Sequence, residues 1–243
     1  MKSLQFIIIA LFTFLSIEVP AQSEADEMAY FAYTSNNKSL WKQLVAKEQA
    51  SYNKSKTNSN LYALLLAQHG LLNATMSDQD EDLFDEHYES AKDNVEKLID
   101  ADHQAGNSKA ILSAIWGWEM GYSSYKGMFL GGKSSSNIEE ATKLAPNEPL
   151  VWQVYGSSKF FTPSMFGGDT KEAQKAYEKA VKLYEDNNLT KSNWRYLDAL
   201  AWLGKVYEKN GEKALAKSTY EKALAVEPNF GWVKYALLPS LSK

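Results

Sequence analysis

The chain has 243 residues, with 26 lysines and arginines against 30 acids, and a formal net charge of −4. Nucleic acid demands clustered positive charge and is excluded as a partner; the only arginine, Arg195, leaves almost no planar fork chemistry for phosphates. With no cysteine there are no disulfides, no thiol nucleophile and no Cys-ligated zinc or iron–sulfur site.

At the amino end, Lys2 precedes an apolar run over residues 4–14, and Val19-Pro20-Ala21 supplies the small residues a signal peptidase reads. This order predicts a secretory signal of bacterial type over residues 1–21, cleaved after Ala21. The run is shorter than the ~20 apolar residues that span a bilayer, and no later stretch is long and apolar enough, so no stable membrane span is expected after cleavage. The expected location is periplasmic or secreted. An exported chain without disulfides must be stable by packing alone.

Residues 22–106 are expected to form an amino-terminal helical region, with helices near 37–54, 59–75 and 81–100. Asp78, Asp80, Asp82, Glu86 and Glu89 fall at positions 1, 3, 5, 9 and 12 of a calcium-binding EF-hand loop. Leu83 stands where the sharp turn needs glycine, and Asp85 where an apolar residue belongs. The simpler reading is a helix capped by Ser77 or Asp78, its acidic first turns facing the positive end of the dipole. His69, His87 and His103 show no metal-ligand spacing. No metal or other cofactor is expected.

Next, residues 127–134 (GMFLGGKS) satisfy the pattern of a phosphate-binding loop. Such a loop must follow a buried strand, and here the preceding residues are helical in pattern. The stretch reads instead as a flexible turn between two helices, and no nucleotide binding is expected. No nucleophile elbow or marked carboxylate pair occurs, so the chain does not read as an enzyme. Residues 116–166 are unusually aromatic, including Trp116, Trp118, Phe129, Trp152, Phe160 and Phe166.

The last third is the clearest. In residues 170–185, Ala173, Ala176, Tyr177, Ala180, Val181 and Tyr184 recur at one-face helical spacing, and Asp169 is placed to cap the amino end, with Glu172 three residues on. A second helix over 194–209 carries Leu197, Leu200, Leu203 and Tyr207 and stops at Asn210-Gly211. A third, over 212–226, carries Ala216, Tyr220 and Ala223 before Pro228, and a short helix over 231–241 would cover the end.

Leu200, Leu203, Gly204, Tyr207, Ala216, Tyr220, Ala223 and Pro228 together resemble the tetratricopeptide repeat pattern, in order and at its spacing. Trp152, Tyr155, Gly156, Ala173, Tyr177 and Ala180 form a second copy with about five extra residues between its helices, in the stretch FFTPSMFGGD. A fainter third copy places Trp118 and Tyr125 in its first helix, Ile138 and Ala141 in its second, and Pro146 after it. The resemblance implies an all-α, right-handed α-solenoid of three to four helix pairs, with the repeat array over residues 107–243 ending in a capping helix.

It also implies a scaffold whose concave face binds a protein or peptide, lined by fixed positions of each first helix. Counted from Gly204, these are Asp198, Ala201, Lys205 and Glu208. Counted from Gly156, they are Leu150, Gln153, Ser157 and Phe160. With Tyr122 placed at the glycine position of the third copy, they are Trp116, Glu119, Ser123 and Lys126. The alternative is a periplasmic carrier, associated with a transporter, that encloses a small apolar ligand in the aromatic part of the stack.

Overall fold

The computed structural model describes residues 23–242, and the signal expected over residues 1–21 lies outside them. Ten helices follow in order: α1 (Glu24–Thr34), α2 (Lys38–Lys54), α3 (Asn58–Thr75), α4 (Glu81–Asp100), α5 (Ala105–Tyr122), α6 (Gly127–Leu144), α7 (Pro149–Phe161), α8 (Thr170–Asp186), α9 (Trp194–Lys209) and α10 (Lys213–Val226). A π-helical segment, Trp232–Leu237, runs into a last turn, α11 (Leu238–Ser240).

Capping side chains start most of these helices. Ser23 and Asp26 form a reciprocal capping box on α1. Asn37, Thr57, Asp80, Asp169 and Asn193 each accept a first-turn N–H of the helix that follows. On α4 the cap is Asp80 rather than Ser77 or Asp78. Burial matches periodicity where the pattern is sharpest: the buried residues of α8 are Ala173, Ala176, Tyr177, Ala180, Val181 and Tyr184.

The odd-numbered helices touch one another in the series α1–α3–α5–α7–α9, whereas the even-numbered ones touch only their odd-numbered neighbours and, at the carboxy end, the terminal segment. Odd helices therefore form an inner row and even helices an outer row. The helix pairs extend back to α1, giving five among the described residues where the resemblance implied three to four. In addition α1 touches α9, so the inner row closes on itself.

Close crossings set each pair. A Cβ on Gly204 would lie 2.1 Å from the Tyr220 ring, and one on Gly156 would lie 2.7 Å from Tyr177. These are the small and large positions of the repeat, seated on each other. In the pair α5/α6 two serines take that place: Ser113 Oγ donates to the Ser134 carbonyl at 3.1 Å, and Ser134 Oγ to the Ser113 carbonyl at 3.2 Å. At the amino end Gly70 of α3 makes room for Trp41 of α2, whose ring would lie 2.2 Å from an added Cβ.

One local expectation is corrected. Residues 127–134 do not form a turn; they are the first two turns of α6, and none of their glycines has positive φ. The link between α7 and α8 is a true loop: Gly167 takes φ 95°, and a Cβ on Gly168 would strike the Thr162 carbonyl at 1.7 Å.

Candidate partner-binding surface

The inner row brings residues from distant parts of the chain onto Asp198. Its carboxylate accepts from Tyr33 Oη of α1 at 2.7 Å and from Gln153 Nε2 of α7 at 2.7 Å. Gln153 in turn accepts from Tyr184 Oη at 2.9 Å. Burial pushes the Asp198 carboxyl up to about 6, with the Tyr33, Gln153 and Trp202 hydrogen bonds offsetting part of the rise. The rings of Tyr33, Trp41, His69, Trp118 and Trp194 gather in the same interior. His69 is held neutral there, its value lowered to about 3 by burial first and by Arg195 second.

This packing corrects the inferred groove floor. Leu150, Gln153 and Asp198 are buried, and the last two are bonded to each other. Ala201 is wholly buried. Asp198 belongs to the interior because α1, far away in sequence, lies against α9 and bonds it through Tyr33, and Gln153 is held there by Asp198 and Tyr184. Glu119 is also buried; it accepts from Tyr88 Oη and pairs with Lys126 Nζ at 2.8 Å.

The register of the third copy is corrected as well. Its two helices cross at Ser113 and Ser134, so Ser113, not Tyr122, occupies the small position. Trp116 is half-buried against the core, and Ser123 ends α5 as its C-cap. No ring contact joins Trp116 to Phe160, while Phe160 faces Trp202. Serine carries no signature of a crossing point, whereas a nearby tyrosine fits the repeat pattern, and this is why the pattern slips.

Three inferred positions do converge on an accessible surface. Phe160 packs 6.0 Å from Trp202, and the Lys205 ammonium lies 5.8 Å from the same ring. Ser157, half-buried, hydrogen-bonds Tyr177 Oη at 2.6 Å beside them on α7. From Trp202 the rings continue in edge contacts to Phe161 at 5.0 Å and Trp232 at 5.4 Å, then from Trp232 to Phe230 at 6.3 Å, which meets Tyr33 in a tilted contact at 5.5 Å. The run is open at Phe161, which is 62% exposed; Tyr235, on the same terminal segment as Trp232, is 75% exposed. Met165 and Phe166, in the loop after α7, are more exposed still or nearly as open. Trp202 and Trp232 carry no sequence signal of their own, since both lie beyond the aromatic-rich stretch that ends at residue 166.

The remaining motifs have structural roles. Asp78 and Asp80 both pair with Lys38, and Asp82, Glu86 and Glu89 lie along α4. Lys133 sits within α6, a helix where a phosphate loop needs exposed N–H groups. Among the described residues no helix is long and apolar enough to cross a membrane. Two clefts stand out, of about 80 and 310 Å3. Both have mixed walls, the first with Ser135, Glu139 and Lys159 beside Ile138, Tyr155 and Phe166, the second with Asp102, Gln104, Asn107 and Glu148 beside Leu144 and Ala145.

Paired helices in an inner and an outer row, crossing at glycines set against tyrosines, define a helix-pair repeat protein. Residues 165–187 and 197–230 match the family model of the tetratricopeptide repeat, so the chain carries tetratricopeptide repeats over that stretch. In fold it resembles TTC0263, a thermophilic tetratricopeptide-repeat protein of Thermus thermophilus, at 15% identity and a TM-score of 0.60, over 89% of this chain and 100% of that one. It also aligns with MamA at 19% identity and a TM-score of 0.42, over 67% of this chain and 87% of that one. BtubC (BKLC) from P. vanneervenii aligns at 14% identity and a TM-score of 0.44, over 81% and 74%. No curated protein matches by sequence. The repeat fold is that of a protein-interaction scaffold.

Proposed function

We propose that this is an exported scaffold that captures a protein or peptide partner on the aromatic strip formed by Phe160, Phe161, Trp202 and Trp232. The observation that supports this reading is the run of edge-packed rings from Trp232 through Trp202 to exposed Phe161, flanked by Lys205. Rigid aromatic side chains supply contact area at low entropy cost, and a few of them carry most of the energy of an interface. The strip lies at the carboxy-terminal edge of the inner row, beside the interior that α1 covers. No catalytic residue is assigned. Export rests on the order of residues 1–21, and the proposed location is the periplasm or the exterior.

The test places a photo-crosslinking amino acid at Phe161 or, as control, at Lys182 on the outer row, in an exporting host. Adducts at Phe161 that vanish in Trp202→Ala, with the melting temperature unchanged, support the strip. Equal adducts at both positions would overturn it. The intact mass of the protein from the same host reads export directly: a chain beginning at Gln22 is expected, and a full-length soluble mass refutes the signal.

A further inference from the structure

The larger cleft, of about 310 Å3, is not used by the strip. It opens where the carboxy ends of α4 and α6 meet the amino ends of α5 and α7. The chain from α4 into α5 brings Asp102, Gln104 and Asn107 to it, and the chain from α6 into α7 brings Leu144, Ala145 and Glu148. The two stretches are packed tightly together: a Cβ on Gly106 would lie 2.3 Å from that of Ala145.

Asn107 is 7% exposed, and its Nδ2 donates to Glu148 Oε2 at 3.2 Å. Its Oδ1 is buried and accepts from nothing. A buried acceptor without a donor loses its hydration and gains nothing in return. Glu148 precedes α7 without capping it, so its carboxylate is held by Asn107 alone. The carboxylate of Asp102 has no partner among the described residues, and the Gln104 side chain does not cap α5. No lysine, arginine or histidine lines the cleft. The helix ends bring partial charges of both signs, negative from α4 and α6 and positive from α5 and α7, so the side chains set the sign. The sign is negative, and beside it Leu144 lies 54% exposed.

A bare metal ion does not match this composition. No three histidine or acidic side chains among the described residues stand close enough to hold one, and an ion makes no use of an open leucine. An anion would meet two carboxylates. We infer that the cleft binds a primary alkylammonium group. Its N–H donors go to Asn107 Oδ1 and to the Asp102 and Glu148 carboxylates, as charge-assisted hydrogen bonds. Its apolar stem lies along Leu144 and Ala145, the division of labour by which a lysine stem covers apolar surface. A ligand of this chemistry has two sources, a free amine and a lysine side chain of a polypeptide. The site is separate from the aromatic strip and does not rest on the scaffold reading.

The test titrates the 15N-labelled mature chain at pH 7.5 and constant ionic strength with n-butylamine, Nα-acetyl-lysine amide, tetramethylammonium chloride and calcium chloride in turn. With the two primary amines, saturable shifts of the backbone amides of Gln104, Ala105, Gly106 and Asn107 are expected below about 10 mM. None is expected with tetramethylammonium, which has the charge but no N–H donor. The tighter of the two amines names the source. Asp102→Asn and Glu148→Gln, both at exposed positions, should each weaken binding about tenfold or more. Glu221→Gln, which removes the same charge from an exposed position on α10, should leave it unchanged. Should Glu148→Gln disturb the fold through Asn107, the wild-type titration and Asp102→Asn still decide. No saturable shift with either amine, an equal shift with tetramethylammonium, or saturation by calcium in place of the amines overturns the site.

Discussion

His69 should make the protein acid-labile, and replacing it with leucine should remove much of that lability. The imidazole is enclosed between Trp118, at 5.1 Å, and Trp194, at 5.9 Å, and its Nδ1 has no partner. Burial, with Arg195 adding to it, lowers its value from 6.5 to about 3. The folded value lies below the unfolded one, so the stability is fully present above about pH 6.5 and drains as the pH falls toward 3. At pH 5 the unfolded chain takes a proton that the folded one refuses, which costs about 2 kcal/mol. Leucine fills similar space with nothing to titrate. Urea unfolding of wild type and His69→Leu at pH 7.5 and pH 5 measures the difference. The wild type should lose about 2 kcal/mol more than the variant between the two. Equal losses, or an imidazole that titrates near 6.5 in the folded protein by NMR, would refute the enclosed, neutral ring.

Asp198 slopes the other way. Its folded value of about 6 stands above 3.8, so its contribution is full at low pH and is lost as the pH rises through 6. Asp198→Asn should therefore gain about 2 kcal/mol on the wild type between pH 4.5 and pH 8, read from thermal melts at each pH. Gly70→Ala should cost about 2–3 kcal/mol, because the added methyl meets the Trp41 ring at 2.2 Å, and denaturant midpoints would detect it. Gly131→Ala should instead stabilise by about 0.5–1 kcal/mol, since a Cβ there meets nothing within 4 Å and the residue is mid-helix. A loss at Gly131 would mean that residues 127–134 form a loop after all.

Helices over the last third, the cap at Asp169 and the small residue at Gly204 all depend on short-range spacing, and all are legible in the chain itself. The same spacing carries the family resemblance. The glycine-rich start of α6 misleads, because glycine weakens a helix only slightly and the packing of α5 against α6 outweighs that weakness. The register of that pair is illegible, since two serines cross where the pattern expects a glycine. Of the candidate surface, counted repeat positions supply Phe160 and Lys205 but not Trp202 or Trp232.

By itself the sequence determined what nearest neighbours determine: which residues form helices, which face of each is apolar, and where two helices of a pair touch. Only the tertiary structure decided which of those faces stay open. Tyr33 and Asp198 stand 165 residues apart, and nothing in either neighbourhood announces their bond. That contact, with the Tyr33 ring on Trp194 and Phe230, lays α1 against the last pair and turns Asp198 from groove floor into interior. The physical reason is that periodicity reports that a helix face must be covered, whereas the identity of its cover depends on a closure spanning the whole chain.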